Sequence, residues 1–370
     1  MNQEKKQWLM TGLKSISAGF ILLQLAGCGL FSPVQNEETL FRQNTLLQAV
    51  KNPMIHEFQP ALEKVENCNF SDPETGISPL MYAVMANEEK QIKALLQKGA
   101  KPDFTDKQGN SALFYAVGSY SDVPMDILLD AGADINFKGV QGKTPLMEAA
   151  RLGEIAQVKK LLQRGANINM QDHSGRNVLF FAAMAKWNAA ELLRFLLTEK
   201  NMKDYLDKND QSPLSVAIQY GNTEAALYLI EQIPDLKQDA SVELFCLQNM
   251  KLAIEKNNLP VFRALLAKGP SLNPTPTWVN RVMRQLNING VYKFSARNNL
   301  IKDGKMPLFW AAENENLIMI QELLNAGAIP VSVDNAGNRP ISYAKMRQTI
   351  NLLTQAEKEY RQKAKEQLKK

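Results

Sequence analysis

The chain is short of the side chains that do chemistry. In 370 residues there are two histidines, His56 and His173, and three cysteines, Cys28, Cys68 and Cys246, with no Cys-x-x-Cys pair. Two histidines several segments apart cannot form a histidine metal cluster, and three scattered thiols cannot build a zinc knuckle or a redox motif. No apolar run is long enough to span a bilayer; the longest, Ile16 to Leu25, is broken by Ser17, Gly19 and Gln24. The net charge of +5 is too small for a nucleic-acid footprint. Metal, disulfide-framework and nucleic-acid functions therefore drop out first.

What the chain has is repetition. Gly76, Gly109, Gly142 and Gly175 recur every 33 residues, and each opens a near-copy of one unit. In the first copy Ser78 is a hydroxyl N-cap and Pro79 stands at the first helical position, where a missing backbone donor costs nothing. Leu80, Ala83 and Val84 fall on one helical stripe, Asn87 and Glu88 break it, and Ile92, Leu95 and Leu96 form a second. Gly99, Gly132 and Gly165 end the second helix in the conformation glycine enters most cheaply. Each unit reads as helix, turn, helix and projecting loop. One such unit cannot bury enough apolar surface to fold alone, so neighbours must cover both its faces.

The period and the segments SPLMYA (78–83), TPLMEA (144–149), SPLSVA (212–217) and MPLFWA (306–311) resemble the ankyrin repeat, with looser copies at 111–116, 177–182 and 339–344. The resemblance implies an all-α ankyrin-repeat solenoid of about seven to eight helix-turn-helix units with projecting loops. The family's histidine is replaced throughout, by Met81, Phe114, Met147, Phe180, Ser215, Phe309 and Ser342. In the family it ties neighbouring loops, so here the loops are expected to be held by packing. The aromatic series Tyr82, Tyr115, Phe181, Trp310 and Tyr343 is expected in the core.

The N-terminus has a different logic. Lys5, Lys6 and Lys14 precede the short apolar run, which ends in Leu25-Ala26-Gly27-Cys28. This resembles the lipobox of bacterial lipoproteins. It implies cleavage between Gly27 and Cys28, acylation of Cys28 and loss of 1–27. Three lysines and one glutamate leave with that segment, so the net charge falls from +5 to +3. Gly29 stands where an aspartate commonly retains such proteins in the inner membrane, which favours the periplasmic face of the outer membrane. Residues 28–39 then form a lipidated cysteine and tether.

Beyond it we expect a capping repeat at 40–75, ankyrin repeats over 76–269, a basic insertion at 270–303, a further repeat at 304–336 and a partial repeat with a capping helix at 337–370. The fourth unit carries two extra residues near Lys186 to Ala190. The insertion contains WVNRVMRQL (278–286), with Trp278, Val282 and Leu286 at helical spacing. It reads either as a long loop packed on the array or as an arm reaching a partner. Cys68 and Cys246 sit about five units apart, roughly 45 Å at a layer spacing of 8–10 Å, and are expected to be free and buried.

No catalytic constellation emerges. His173 lies beside Asp172 and Ser174 but lacks a nucleophile elbow, and Gly142-Lys143-Thr144 lacks the earlier glycine of a phosphate loop because position 137 is Phe137. No cofactor and no small-molecule substrate are expected. By position, the ankyrin resemblance places a partner-binding surface on the loop residues Lys107, Lys143 and Arg176 and on Arg151, Met184, Lys186, Trp187 and Tyr220 at the ends of first helices. Tryptophan, tyrosine and arginine are the usual anchors of an interface. The expected function is a non-enzymatic, lipid-anchored periplasmic protein that binds another protein. Some lipoproteins of this kind resemble immunity proteins that neutralise lipase-type toxins; the alternative is a scaffold or protector of a resident enzyme such as a catalase.

Overall fold

The computed structural model describes residues 37–52, 57–119, 121–198, 206–233, 240–273 and 303–368. The signal segment, Cys28, the tether up to residue 36, His56 and residues 274–302 of the expected insertion lie outside the described residues.

The described residues are helical, with no strand among them. The chain begins with α1 (Glu37–Lys51) and α2 (Phe58–Glu63), then runs through pairs: α3 (Pro79–Met85) with α4 (Glu89–Gln97), α5 (Ala112–Ala116) with α6 (Val123–Asp130), and α7 (Pro145–Leu152) with α8 (Ile155–Gln163). It continues with α9 (Val178–Met184) and α10 (Ala189–Thr198), α11 (Pro213–Gln219) and α12 (Thr223–Glu231), α13 (Ala240–Glu255) and α14 (Leu259–Ala267), and α15 (Pro307–Glu313) and α16 (Leu317–Asn325). A 3-10 turn at Pro340–Tyr343 and α17 (Arg347–Gln367) close the array. No helix among the described residues is long and apolar enough to cross a membrane.

The first helix of each pair starts as its sequence dictates. Ser78 Oγ, Thr144 Oγ1 and Ser212 Oγ each accept the backbone N–H three residues on, with proline at the next position. Ser111 departs from this: it sits in the cap position, yet its side chain makes no cap bond, and its buried hydroxyl has no partner among the described residues. No proline follows it, and α5 has five residues where α3 has seven.

Contacts run from neighbour to neighbour. First helices stack in sequence, α3 on α5, α5 on α7, and so to α13 on α15, while α10, α12 and α14 line up in the second layer. The core is the seam between the layers, where Leu80, Leu113, Leu146, Leu179, Leu214 and Leu308, one from each of six units, are all 2% exposed or less. Alanines such as Ala83, Ala116, Ala149, Ala182, Ala217 and Ala311 are fully buried at the equivalent positions three residues on. Only a side chain that small lets helices approach this closely. Cys68 and Cys246 are free and buried, as their separation along the array requires.

Two places depart from the regular unit. The loop motif lost before the sixth pair is replaced by an N-terminal extension of α13, which is 16 residues long where its counterparts have five to eight. In the fourth pair, four residues, Ala185 to Asn188, separate α9 from α10, whereas two separate α7 from α8. The two extra residues therefore lie in the helix-helix turn. That places Lys186 and Trp187 on the turn and not on the first helix, where the sequence reading had put them.

Candidate functional site

The projecting loops are fixed by buried carboxylates. In the second unit Asp106 Oδ1 accepts the backbone N–H groups of Gln108 and Asn110, both at 2.8 Å, and Tyr115 Oη donates to Asp106 Oδ2 at 2.6 Å. Asp172, Asp207 and Asp334 accept the same two N–H groups in their own loops. Tyr82 and Tyr343 donate to Asp72 and Asp334 as Tyr115 does to Asp106. The fourth unit has Phe181 in place of the tyrosine, and there Arg176 Nε donates to Asp172 Oδ2 at 2.9 Å with its guanidinium 5.5 Å from the Phe181 ring centroid.

This corrects two expectations. The loops lacking the family's histidine are held by charge-assisted hydrogen bonds, not chiefly by packing. The aromatic series also divides: Phe181 and Trp310 are core, whereas Tyr82, Tyr115 and Tyr343 are half-buried, with their hydroxyls committed to aspartates. Burial works to raise the Asp106 carboxyl, but the bonds from Tyr115, Asn110 and Gln108 hold it below the usual range. Adjacent loops are then tied by the backbone, His173 N–H to Gln141 O and Lys208 N–H to Ser174 O, both at 2.9 Å.

Several residues singled out in the sequence prove to be structural. Arg176 is committed within its own hairpin. His173 packs against Gly142, where an added Cβ would lie 2.6 Å from the imidazole, and the neighbouring Asp172 accepts the Ser174 backbone N–H, so the three residues form a turn. Thr144 is the helix cap already described, which accounts for the last residue of the phosphate-loop look-alike. No group of three or more potential metal ligands occurs among the described residues.

The remaining residues lie where the first helices of the third to fifth units end and their turns begin: Arg151 and Met184 on the helices, Lys186, Trp187 and Tyr220 just past them. Trp187 is 65% exposed and Tyr220 59% exposed; between residues 76 and 325 they are the exposed aromatic side chains of the described chain. Lys186 Nζ lies 5.1 Å from the Trp187 ring centroid. Arg151 is gripped by Glu148, with Nε to Oε2 at 2.9 Å and Nη2 to Oε1 at 2.5 Å. That carboxylate holds the Arg151 guanidinium above its ordinary value. Gly153 supports Trp187 from below: a Cβ there would lie 2.5 Å from the Trp187 carbonyl oxygen. Met184, the last residue of α9, is half-buried against the core. Of the loop lysines, Lys107 spans to the preceding loop through Pro73 O at 2.7 Å, and Lys143 is half-buried with no side-chain hydrogen bond among the described residues.

Two exposed aromatic rings, a guanidinium oriented by Glu148 and a lysine over the indole thus stand where the first helices of successive units end. Ankyrin-repeat family models match four overlapping windows, residues 46–139, 80–172, 146–243 and 179–276, and a single-repeat model matches 303–336. The chain belongs to the ankyrin repeat family. Ankyrin repeats are protein-protein interaction modules, typically without enzymatic activity, and no catalytic family matches the chain. No curated protein matches it.

The structural ankyrin contacts hidden from the sequence reading had left a signal. The aspartate precedes the tyrosine by nine residues in Asp106/Tyr115 and Asp334/Tyr343, and where Gly139 replaces the aspartate, Glu148 replaces the tyrosine.

Proposed function

We propose that this ankyrin protein, held at the periplasmic face of the outer membrane through acylated Cys28, binds another protein with the face carrying Arg151, Met184, Lys186, Trp187 and Tyr220, and acts as an immunity protein that neutralises a lipase-type toxin. The observation that carries the binding role is the exposure of two large aromatic side chains, Trp187 and Tyr220, 65% and 59%, on successive units of the stack. Large aromatic side chains are rarely left in water where packing could cover them, and such residues dominate measured interface energies. The anchor rests on the order of basic segment, apolar run and Leu25-Ala26-Gly27-Cys28. Each buried methylene of an acyl chain adds about 0.8 kcal/mol, so a multiply acylated cysteine is a stable anchor.

The test has two arms. Cys28→Ser should release the protein from the membrane fraction and abolish incorporation of labelled fatty acid. Deletion of the gene should harm the cell only while a neighbouring toxin gene is expressed, and the Trp187→Ala, Tyr220→Ala double variant should fail to protect although it is folded. Protection by the double variant would remove the proposed face. A growth defect independent of any toxin would point to service of a resident enzyme.

A further inference from the structure

We propose that the partner is an acidic protein segment, laid along the loop row of the second to fifth units, with an apolar or aromatic side chain seated against Trp187 and Tyr220. The proposal rests on the binding-face reading and adds the partner's chemistry to it.

The sign of the loop row follows from what is hidden and what is shown. The loop aspartates are withdrawn: Asp72, Asp106, Asp172 and Asp207 are 3%, 8%, 5% and 6% exposed, with their oxygens spent on backbone N–H groups and neighbouring side chains. The lysines are displayed. Lys107, Lys138 and Lys208 are exposed, and their ammonium groups reach only carbonyl oxygens: Pro73 O at 2.7 Å, Gln171 O at 3.2 Å and His173 O at 2.8 Å. None of the three pairs with a carboxylate among the described residues, so three exposed ammonium groups stand along the row while the aspartates beside them are turned inward. Elsewhere on these units Lys160 and Arg164 pair with Asp122, Asp126 and Asp130, and Arg151 with Glu148, while Lys159 and Lys186 lie over the Phe195 and Trp187 rings.

The opposite edge is of mixed charge, with Lys186 on the turn and Arg194 paired to Glu224. Glu154, Glu191 and Glu224 lie exposed at the helix-helix turns, beside the N-terminal ends of the second helices, where the helix dipole favours them. A partner crossing the face therefore meets exposed ammonium groups at the loops and the aromatic rings at the turns. The orientation is fixed: carboxylates over the loops. The spacing is informative as well. Stacked helices repeat at about 8–10 Å, and an extended chain advances about 3.3 Å per residue, so a carboxylate at roughly every third residue would keep step with the lysines. Because the row is exposed, its charge acts mainly through steering and is sensitive to salt.

The experiment is to pan a phage-displayed library of random twelve-residue peptides against the full purified chain, with counter-selection on the Trp187→Ala, Tyr220→Ala variant. Enriched peptides are expected to be acidic and to carry an aromatic or large aliphatic residue. Synthesised singly, they should bind at least tenfold more weakly to the Lys107→Gln, Lys138→Gln, Lys208→Gln triple variant, and recover when the same three positions are arginine. Neutral or basic winners, or acidic winners indifferent to the triple substitution, overturn the acidic-partner proposal and leave the face standing. Failure to enrich any peptide above the counter-selection overturns both. Equal competition by a random single-stranded DNA oligomer would assign the row to nucleic acid and also overturn the proposal.

Discussion

Replacing Asp106 with alanine should cost this protein more than replacing almost any exposed residue of comparable size. The carboxylate is 8% exposed and serves two backbone N–H groups at 2.8 Å and the Tyr115 hydroxyl at 2.6 Å. Hydrogen bonds to a charged acceptor are worth about 1.5–3 kcal/mol each when buried, but Gln108 lies at a wet loop tip, and water can replace part of what is lost. Asp106→Ala should therefore destabilise by about 3 kcal/mol. Tyr115→Phe, which removes one donor and leaves the turn its acceptor, should cost about half that, and the double variant should show a coupling of about 1.5 kcal/mol. Urea unfolding gives the totals, and native-state hydrogen exchange of the second unit locates the loss, since an array of nearest-neighbour contacts can open locally. The pH dependence supplies a second check. The folded carboxyl is held below its unfolded value, so its stabilisation is full above about pH 4 and is lost as the pH falls through the folded pKa. Asp106→Ala should flatten that acid limb. A loss under about 1 kcal/mol with no measurable coupling to Tyr115 would refute the account of how the loops are held.

The caps and thiols give sharper contrasts. Ser78→Ala should cost about 1 kcal/mol, because its hydroxyl accepts the Met81 N–H, whereas Ser111→Ala should be neutral or stabilising, because it removes a buried hydroxyl that has no partner; paired urea titrations decide it. Cys246 should resist alkylation in the folded protein, since burial pushes its thiol up to about 12, and Cys68, also raised by burial, should behave alike; rapid labelling of either thiol in native buffer would contradict the packing. Gly153→Ala should destabilise by about 1 kcal/mol or more, because the residue has a φ of 83° and its new Cβ would press on the Trp187 carbonyl. The same change should shift Trp187 fluorescence, and an unchanged spectrum would mean that the tryptophan is not supported there.

Much of the fold was legible because the repeat states each requirement several times. The proline after Ser78, Thr144 and Ser212, the alanine three residues beyond each leucine and the glycine at Gly99, Gly132 and Gly165 are read once and then confirmed by their copies. What escaped was context within a unit. Ser111 looks like Ser78 on paper, but without a following proline its helix starts differently and its hydroxyl turns away from the cap. Asp72, Asp106 and Asp172 look like solvated loop residues, because polar turns usually are. Their burial depends on a tyrosine or arginine folding back over them, which is a pairing rather than a composition. The position of Trp187 was misread by a few residues for the same reason: a two-residue excess can be counted in sequence, but its location in the turn is a matter of where α9 stops.

The repeat also separates folding from function within a single chain. A position that every unit fills alike is filled for the fold, as the buried leucines and alanines are. At the end of the first helix the units disagree: Met85, Gly118, Arg151, Met184 and Gln219 occupy one position, and the next residues include Leu152 and Tyr220. Packing does not set these identities, for Met85, Arg151, Gln219 and Tyr220 are all exposed. A fold indifferent to the side chain would leave such sites to small polar residues, which cost nothing in water. Instead the third to fifth units place an arginine held by its own glutamate, a tryptophan carried on a two-residue insertion and an exposed tyrosine. Holding the guanidinium in place before any partner arrives lowers the entropy lost on binding, and that advantage exists only if something binds.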